Sequence, residues 1–277
     1  MQIIDAHIHA DFDSEWLKRI GYHCGVDFSS EGLKKEMGSC NVTHCVSMGL
    51  RSVDLGMDIN APTPYDTPEN LKHPEITYIG GINPFLAGAE YLEKTRDSII
   101  DGSIKGLKIY LGYFPFPINA PVYRAYYRLA EEFHLPVIFH TGDMESSNGK
   151  LKYAHPLNID DIAVEYREVN FLIAHFGNPW FMDAAEVISK NENVYADLSG
   201  FVAGSDDYDY VTKYQLPRLK EAVGWIDDSS RLLYGSDWPL TPIKEYIEFI
   251  RTIFSNEDDQ EKVFYKNAIE LFKIGIE

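Results

Sequence analysis

Short, nearly continuous apolar runs alternate along this chain with longer stretches whose apolar residues recur every three or four positions. The runs cover residues 2–7, 44–48, 76–82, 104–110, 136–140, 170–175, 193–198 and 231–235. Most are rich in Val, Ile, Phe and Tyr, as expected of parallel strands covered on both faces. The stretches 88–100, 122–133, 159–167, 180–190, 208–223 and 243–254 read as amphipathic helices, with Leu92, Thr95 and Ile99 on one face and Leu129 and Phe133 at the same spacing. Residues 257–272 add a C-terminal helical extension. Eight strand–helix alternations predict an α/β chain folded as a (β/α)8 TIM barrel, with residues 1–277 forming a single domain. A doubly wound open sheet is disfavoured, because no glycine-rich phosphate loop follows the first run. Residues 54–73 carry Gly56, Pro62, Pro64 and Pro68 with little periodicity and predict a long loop after the second strand.

The polar residues that end these runs carry the chemistry. The first run leads into His7-Ile8-His9, and alternation along a strand points two imidazoles the same way. Two neutral imidazoles on one face are half of a transition-metal site. Such a pair alone is weak evidence, but the fifth run ends in His140, the sixth in His175 and the eighth in Asp237. Catalytic groups of barrels sit at the carboxyl ends of strands. Five such residues at one end of one barrel predict a metal centre.

Several residues extend that site. In the fourth run, Leu107, Ile109 and Leu111 suit the helix layer, while Gly106, Lys108 and Tyr110 face the barrel interior. An inward Lys is costly unless paired or chemically used. It can neutralise a substrate carboxylate, pair with Asp237, or be carboxylated to bridge two metals. Arg51, just after the second run, offers a bidentate carboxylate contact or a surface ion pair. His155 stands in the segment after the fifth run, above the mouth, and faces substrate or supports the site. Asp197, ending the seventh run, suits a hydrogen-bonding role. Tyr110, Tyr113, Phe114 and Phe116 form an aromatic loop suited to wall a pocket or to pack over the rim. His134 at a helix end, His73 before Pro74, His44 at a strand start and His23 in an N-terminal loop read as structural or solvated.

Composition narrows the partners. A chain of 277 residues that is 45% hydrophobic can bury a sizeable core, and its net charge of −18 disfavours nucleic acid and anionic membrane surfaces. A small-molecule substrate is expected, and a homo-oligomer is compatible with the sequence. The three cysteines form no CxxC, no basic leader opens the chain, and no apolar run is long enough to span a bilayer. These features predict a cytoplasmic protein whose thiols are buried or free.

The local strings resemble a known family. His7-x-His9, His140, His175 and Asp237 on strands one, five, six and eight match the amidohydrolase superfamily pattern. The strings Gly106-Leu107-Lys108-Ile109-Tyr110, Ala174-His175-Phe176-Gly177, Asn193-Val194-Tyr195-Ala196-Asp197, Gly235-Ser236-Asp237-Trp238-Pro239 and Asn267-Ala268-Ile269-Glu270-Leu271-Phe272 are similar to its amidohydrolase-related (amidohydrolase 2) branch. That branch includes aminocarboxymuconate-semialdehyde decarboxylase and related aromatic-acid decarboxylases, hydratases and hydrolases. The resemblance implies one divalent metal held by His7, His9, His140 and Asp237, with His175 off the metal. Zn²⁺ fits these ligands best, with Mn²⁺ or Fe²⁺ as alternatives. A second metal bridged by a carboxylated Lys108 is the less favoured arrangement. Asp237 and His175 would be the catalytic pair, and Lys108, Arg51, Tyr110 and His155 the substrate contacts. The implied activity is hydrolysis of a C–N or C–O bond. Non-oxidative decarboxylation on the same site, or metal binding without catalysis, are the alternatives.

Overall fold

The computed structural model describes residues 1–49, 73–204 and 208–275. Eight strands appear in chain order: β1 Ile3–Ile8, β2 Val42–Met48, β3 Ile76–Gly81, β4 Leu107–Ile109, β5 Val137–Phe139, β6 Phe171–Ile173, β7 Val194–Asp197 and β8 Leu232–Leu233. Each pairs in parallel with the next. The seam between β8 and β1 closes through backbone bonds from Ala6 N to Tyr234 O (2.9 Å), Asp237 N to His7 O (2.8 Å) and His9 N to Trp238 O (2.8 Å). Helices follow the strands around the outside, giving the TIM barrel.

Alternation along the strands sorts the core into two compartments. Val46, Ile79, Ile138, Leu172 and Leu233 pack together inside the barrel. Cys45, Tyr78, Leu107, Ile109, Val137, Phe139, Phe171, Ile173 and Leu232 pack outward beneath the helices. Lys108 lies between the outward Leu107 and Ile109 and therefore points inward, fully buried.

β1 breaks the alternation. Ile4 and Ala6 lie inside, yet Ile8 packs outside, because the register against β2 shifts between Asp5 and Ile8. Three positions on β1 there span two on β2, from Cys45 to Ser47. The extra residue is a β-bulge, which re-aims the side chains that follow it. It brings His7 and His9 to the barrel side; strict alternation from Ile4 and Ala6 would send both outward.

The helices depart from the sequence reading in three places. Residues 11–41, outside the stretches read as helical, hold two helices, Glu15–His23 and Ser30–Cys40. Ser14 and Ser29 cap them by accepting from Leu17 N and Gly32 N. His23 therefore sits in a last helical turn and not in a loop. The expected 208–223 helix is interrupted by a π turn over Val211–Gln215 before continuing as Leu216–Ile226. Pro217 accounts for the break, since it has no N–H to give the preceding turn. The C-terminal extension has a similar π turn at Lys262–Lys266, then Asn267–Phe272. Ala268, Leu271, Phe272 and Ile274 join the cluster inside the barrel with Ile4 near the start of β1, and Lys273 Nζ donates to His134 O just ahead of β5. The extension is thus a plug for the amino end of the barrel. Among the described residues, no helix is long and apolar enough to cross a membrane.

Candidate active site

At the opposite, carboxyl end of the strands, β1 and β8 bring three donor atoms together. His7 Nε2 lies 3.5 Å from Asp237 Oδ1, and His9 Nε2 comes to 3.1 Å of the same oxygen. Both His7 Nε2 and Asp237 Oδ1 are buried with no hydrogen-bond partner. Orphaned buried donors are expensive, and a cation is the natural group to satisfy several at once. Their mutual spacing, within 4.8 Å, suits a metal ion.

Asp197 decides which nitrogen of His7 faces that space. Its Oδ2 accepts from His7 Nδ1 at 2.8 Å, so the lone pair stays on Nε2. A carboxylate behind a ligating imidazole fixes its tautomer and raises its basicity. Asp197 Oδ1 accepts from the backbone N of His175 (2.9 Å) and from the Ser199 hydroxyl (2.5 Å). Burial pushes the Asp197 carboxyl up, but His7, His175 and Lys108 outweigh it and hold it well below the usual carboxylate range. Burial, assisted by Lys108, lowers His7 to about 4, so its ring is neutral and free to ligate at pH 7. Asp237 is likewise ionised: burial opposes this, but the adjoining His9, His175 and His7 rings prevail.

Backbone conformation places the other two histidines. By alternation from Phe171 and Ile173, His175 belongs to the outward face. It adopts φ 60° instead, followed by Phe176 at φ 46°, and this left-handed turn swings the ring into the mouth. Asp237 also has positive φ, at 64°. The His175 ring lies 4.9 Å from that of His7 and 5.0 Å from that of His140, and its Nδ1 stands 4.0 Å from Asp237 Oδ2. Ser199 Oγ, 2.9 Å away, orients that nitrogen. His140 ends β5 on the far side of His175, outside the three-donor cluster. Its Nε2 donates to Asp143 O at 3.0 Å, which leaves the lone pair on Nδ1. Burial first, then His175 and Lys108, keep it neutral.

Beside this cluster Lys108 is fully buried, and its Nζ meets no hydrogen-bond partner. It rests 5.2 Å from the centre of the Tyr110 ring. Burial lowers it to about 8, opposed by Asp197 and Asp237. Tyr110 stacks on His140 at 6.3 Å, with its hydroxyl also buried and unpartnered, and Tyr113 meets His140 edge-on at 4.7 Å. The aromatic loop is thus divided: Tyr110 and Tyr113 flank the site, whereas Phe114 and Phe116 pack with Phe85. His155 packs against Trp180 with ring centres 4.5 Å apart and planes tilted by 41°, and its Nδ1 accepts from Leu157 N. Arg51, and the expected loop up to residue 72, lie outside the described residues.

The sequence reading passed over three contributors: Ser199, Gly200 and Asp5. A Cβ on Gly200 (φ +69°) would come within 2.6 Å of His175 Nδ1 and 3.0 Å of Asp237 Oδ2. The Ser199-Gly200 pair, separated from the strand-ending Asp197 by Leu198, was the available signal. Asp5 is fully buried two residues before His7; its carboxyl, pushed up by burial, sits at about 7.

Fold and site together define a (β/α)8 barrel with a histidine–carboxylate cluster at the carboxyl ends of its strands. The family model described as Amidohydrolase matches residues 4–274, and the chain belongs to that family, the amidohydrolase-2 branch. Solved structures share the fold at low identity. An uncharacterised TIM-barrel protein from Bordetella bronchiseptica aligns with TM-score 0.75 and 20% identity over 99% of each chain. A 2,6-dihydroxybenzoate decarboxylase from Rhizobium aligns with TM-score 0.65 and 16% identity, also over 99% of each chain. A zinc-bound amidohydrolase from Burkholderia multivorans aligns with TM-score 0.67 and 13% identity, over 99% of this chain and 100% of its own. No curated protein matches the sequence. The family and these named neighbours include hydrolases and decarboxylases.

Proposed function

We propose that the protein is a metal-dependent hydrolase acting on a C–N or C–O bond of a small molecule. The observation that carries this reading is the pair of buried, unpartnered atoms His7 Nε2 and Asp237 Oδ1, facing each other with His9 Nε2 beside them. His7, His9 and Asp237 would hold the metal, joined by His140 through Nδ1. A bound divalent ion, Zn²⁺ by this donor set with Mn²⁺ or Fe²⁺ as alternatives, would supply an acidified water and a Lewis acid. Asp237, ionised at neutral pH, accepts the nucleophile's proton and returns it to the leaving group. His175, held by Ser199, steadies the developing oxyanion. Lys108 and Tyr110 bind an anionic part of the substrate. The net charge of −18 supports a small-molecule substrate over nucleic acid, and three cysteines without a CxxC fit a reducing compartment such as the cytoplasm.

Asp237→Asn tests the mechanism. Turnover should fall at least ~100-fold while the fold and part of the bound metal remain. Metal content by elemental analysis and circular dichroism accompany the assay, and near-normal turnover would sink the mechanism.

A second reading, non-oxidative decarboxylation of an aromatic or unsaturated acid, is favoured by Lys108 Nζ and Tyr110 Oη. Both are buried donors without acceptors, placed to anchor a carboxylate. A substrate panel scored for CO₂ release against amide or lactone cleavage separates the two. Full metal loading with no turnover on any substrate would instead indicate a metal-binding protein without catalysis.

A further inference from the structure

The seam between β1 and β8 carries all three convergent donors, and it rests on one side chain that the mechanism does not use. Asp5 is fully buried. Its Oδ1 accepts from Ser236 N at 2.9 Å and from His7 N at 3.3 Å. Those two amides belong to the ligand His7 and to the residue before Asp237. The Ser236 hydroxyl accepts from Trp238 N at 3.0 Å, and the second Asp5 oxygen, Oδ2, is buried with no hydrogen-bond partner. Asp5 therefore grips the backbone immediately before Asp237 and that of His7 with one oxygen.

Both gripped segments are irregular. His7 lies in the register shift between Asp5 and Ile8, where ladder bonding to β2 is interrupted. Asp237 has φ 64°, a region that a residue with a Cβ adopts only when its surroundings enforce it. A Cβ on Gly235 would lie 2.7 Å from the Cβ of His7, so the two strands leave no room for a shift at the seam. In a regular sheet these backbone amides would be satisfied by ladder carbonyls; here a carboxylate oxygen takes that part.

We infer that Asp5 is a positioning residue for the metal centre: its carboxylate clamps the β1 bulge to the left-handed turn after β8, and so sets the spacing of His7 Nε2 from Asp237 Oδ1. The inference rests on the metal-site reading above, and it concerns how the donors are held and not what they catalyse.

Zn²⁺ affinity, measured by chelator competition on metal-stripped protein, tests it beside the thermal midpoint of the stripped form. Asp5→Ala should weaken Zn²⁺ binding ~10- to 100-fold, the scale for loss of a group that orients ligands. Asp5→Asn keeps the accepting oxygen and should stay within ~3-fold of the native protein. That rescue is what a purely structural role would not give. If Asp5→Ala does not fold, Asp5→Ser, which removes the carboxylate but keeps a small polar side chain, takes its place, and a drop of several-fold is expected. Native-like Zn²⁺ affinity in Asp5→Ala or, failing that variant, in Asp5→Ser overturns the inference, as does weakening in Asp5→Asn equal to that of the variant used. A native chain that takes up no Zn²⁺ overturns the metal reading instead. The clamp is then judged by hydrogen exchange at the His7 and Ser236 amides, which should quicken in Asp5→Ala and would refute the clamp if unchanged.

Discussion

Lys108 is an ammonium group enclosed on every side, near two carboxylates but bonded to neither. Its pKa of about 8, against 10.5 when exposed, means that the unfolded chain binds more protons between those values. Stability therefore rises with pH from about 8 to about 10.5, and the cost of burying the charge is fully present below pH 8. That cost is on the order of 3 kcal/mol. Lys108→Met should accordingly stabilise the protein at pH 7 by about 1–3 kcal/mol, and the advantage should vanish near pH 10.5. Paired urea denaturations at the two pH values measure this, and an advantage that did not change with pH would show that Lys108 is partnered in solution. The same variant should lose turnover on anionic substrates. At this scale the sequence was informative, because histidines and an aspartate that stop apolar strands stand out from their surroundings. Asp5 did not stand out, since a polar residue inside a strand looks alike whether it faces water or pins a neighbouring backbone.

The elements that hold these residues were legible in type and order but not in their irregularities. Alternation correctly sends Lys108 inward, because β4 is regular. For β1 the shared face of His7 and His9 follows from alternation, but which face it is depends on the bulge, and no residue type announces a bulge. His175 is the converse case, outward by alternation and inward by a left-handed turn. Gly200 fills the corresponding place after β7, where its missing side chain leaves space for the His175 and Asp237 heads. Gly200→Ala adds both a contact and strain at φ +69°. The protein should remain folded, but kcat should fall ~10- to 100-fold through displacement of His175. Turnover measured with a circular dichroism control tests this, and unchanged kcat would show that the ring is free to move aside.

Over the whole molecule the barrel has a working end and a sealed end. The seal is the segment following the final strand, in which Phe272 is 2% exposed and packs with residues from inside the barrel. Phe272→Ala should cost about 3–5 kcal/mol by leaving a void beneath the strands. Urea unfolding reads the loss, and a cost under ~1 kcal/mol would mean that the plug is dispensable. The sequence announced this segment as a helix, but nothing in its period says where its apolar face is placed, because any apolar surface would satisfy it. The closed seam has a further consequence, for the timing of assembly. Asp5 and Ser236 stand 231 positions apart. A ribosome adding about 5–20 residues per second keeps β1 waiting some ten seconds or more for its partner strand. Throughout that interval His7 and His9 wait without Asp237, and the proposed ligand set stays incomplete. The metal site proposed above can therefore be completed only once β8 and the residues that follow it have been made and have closed the seam.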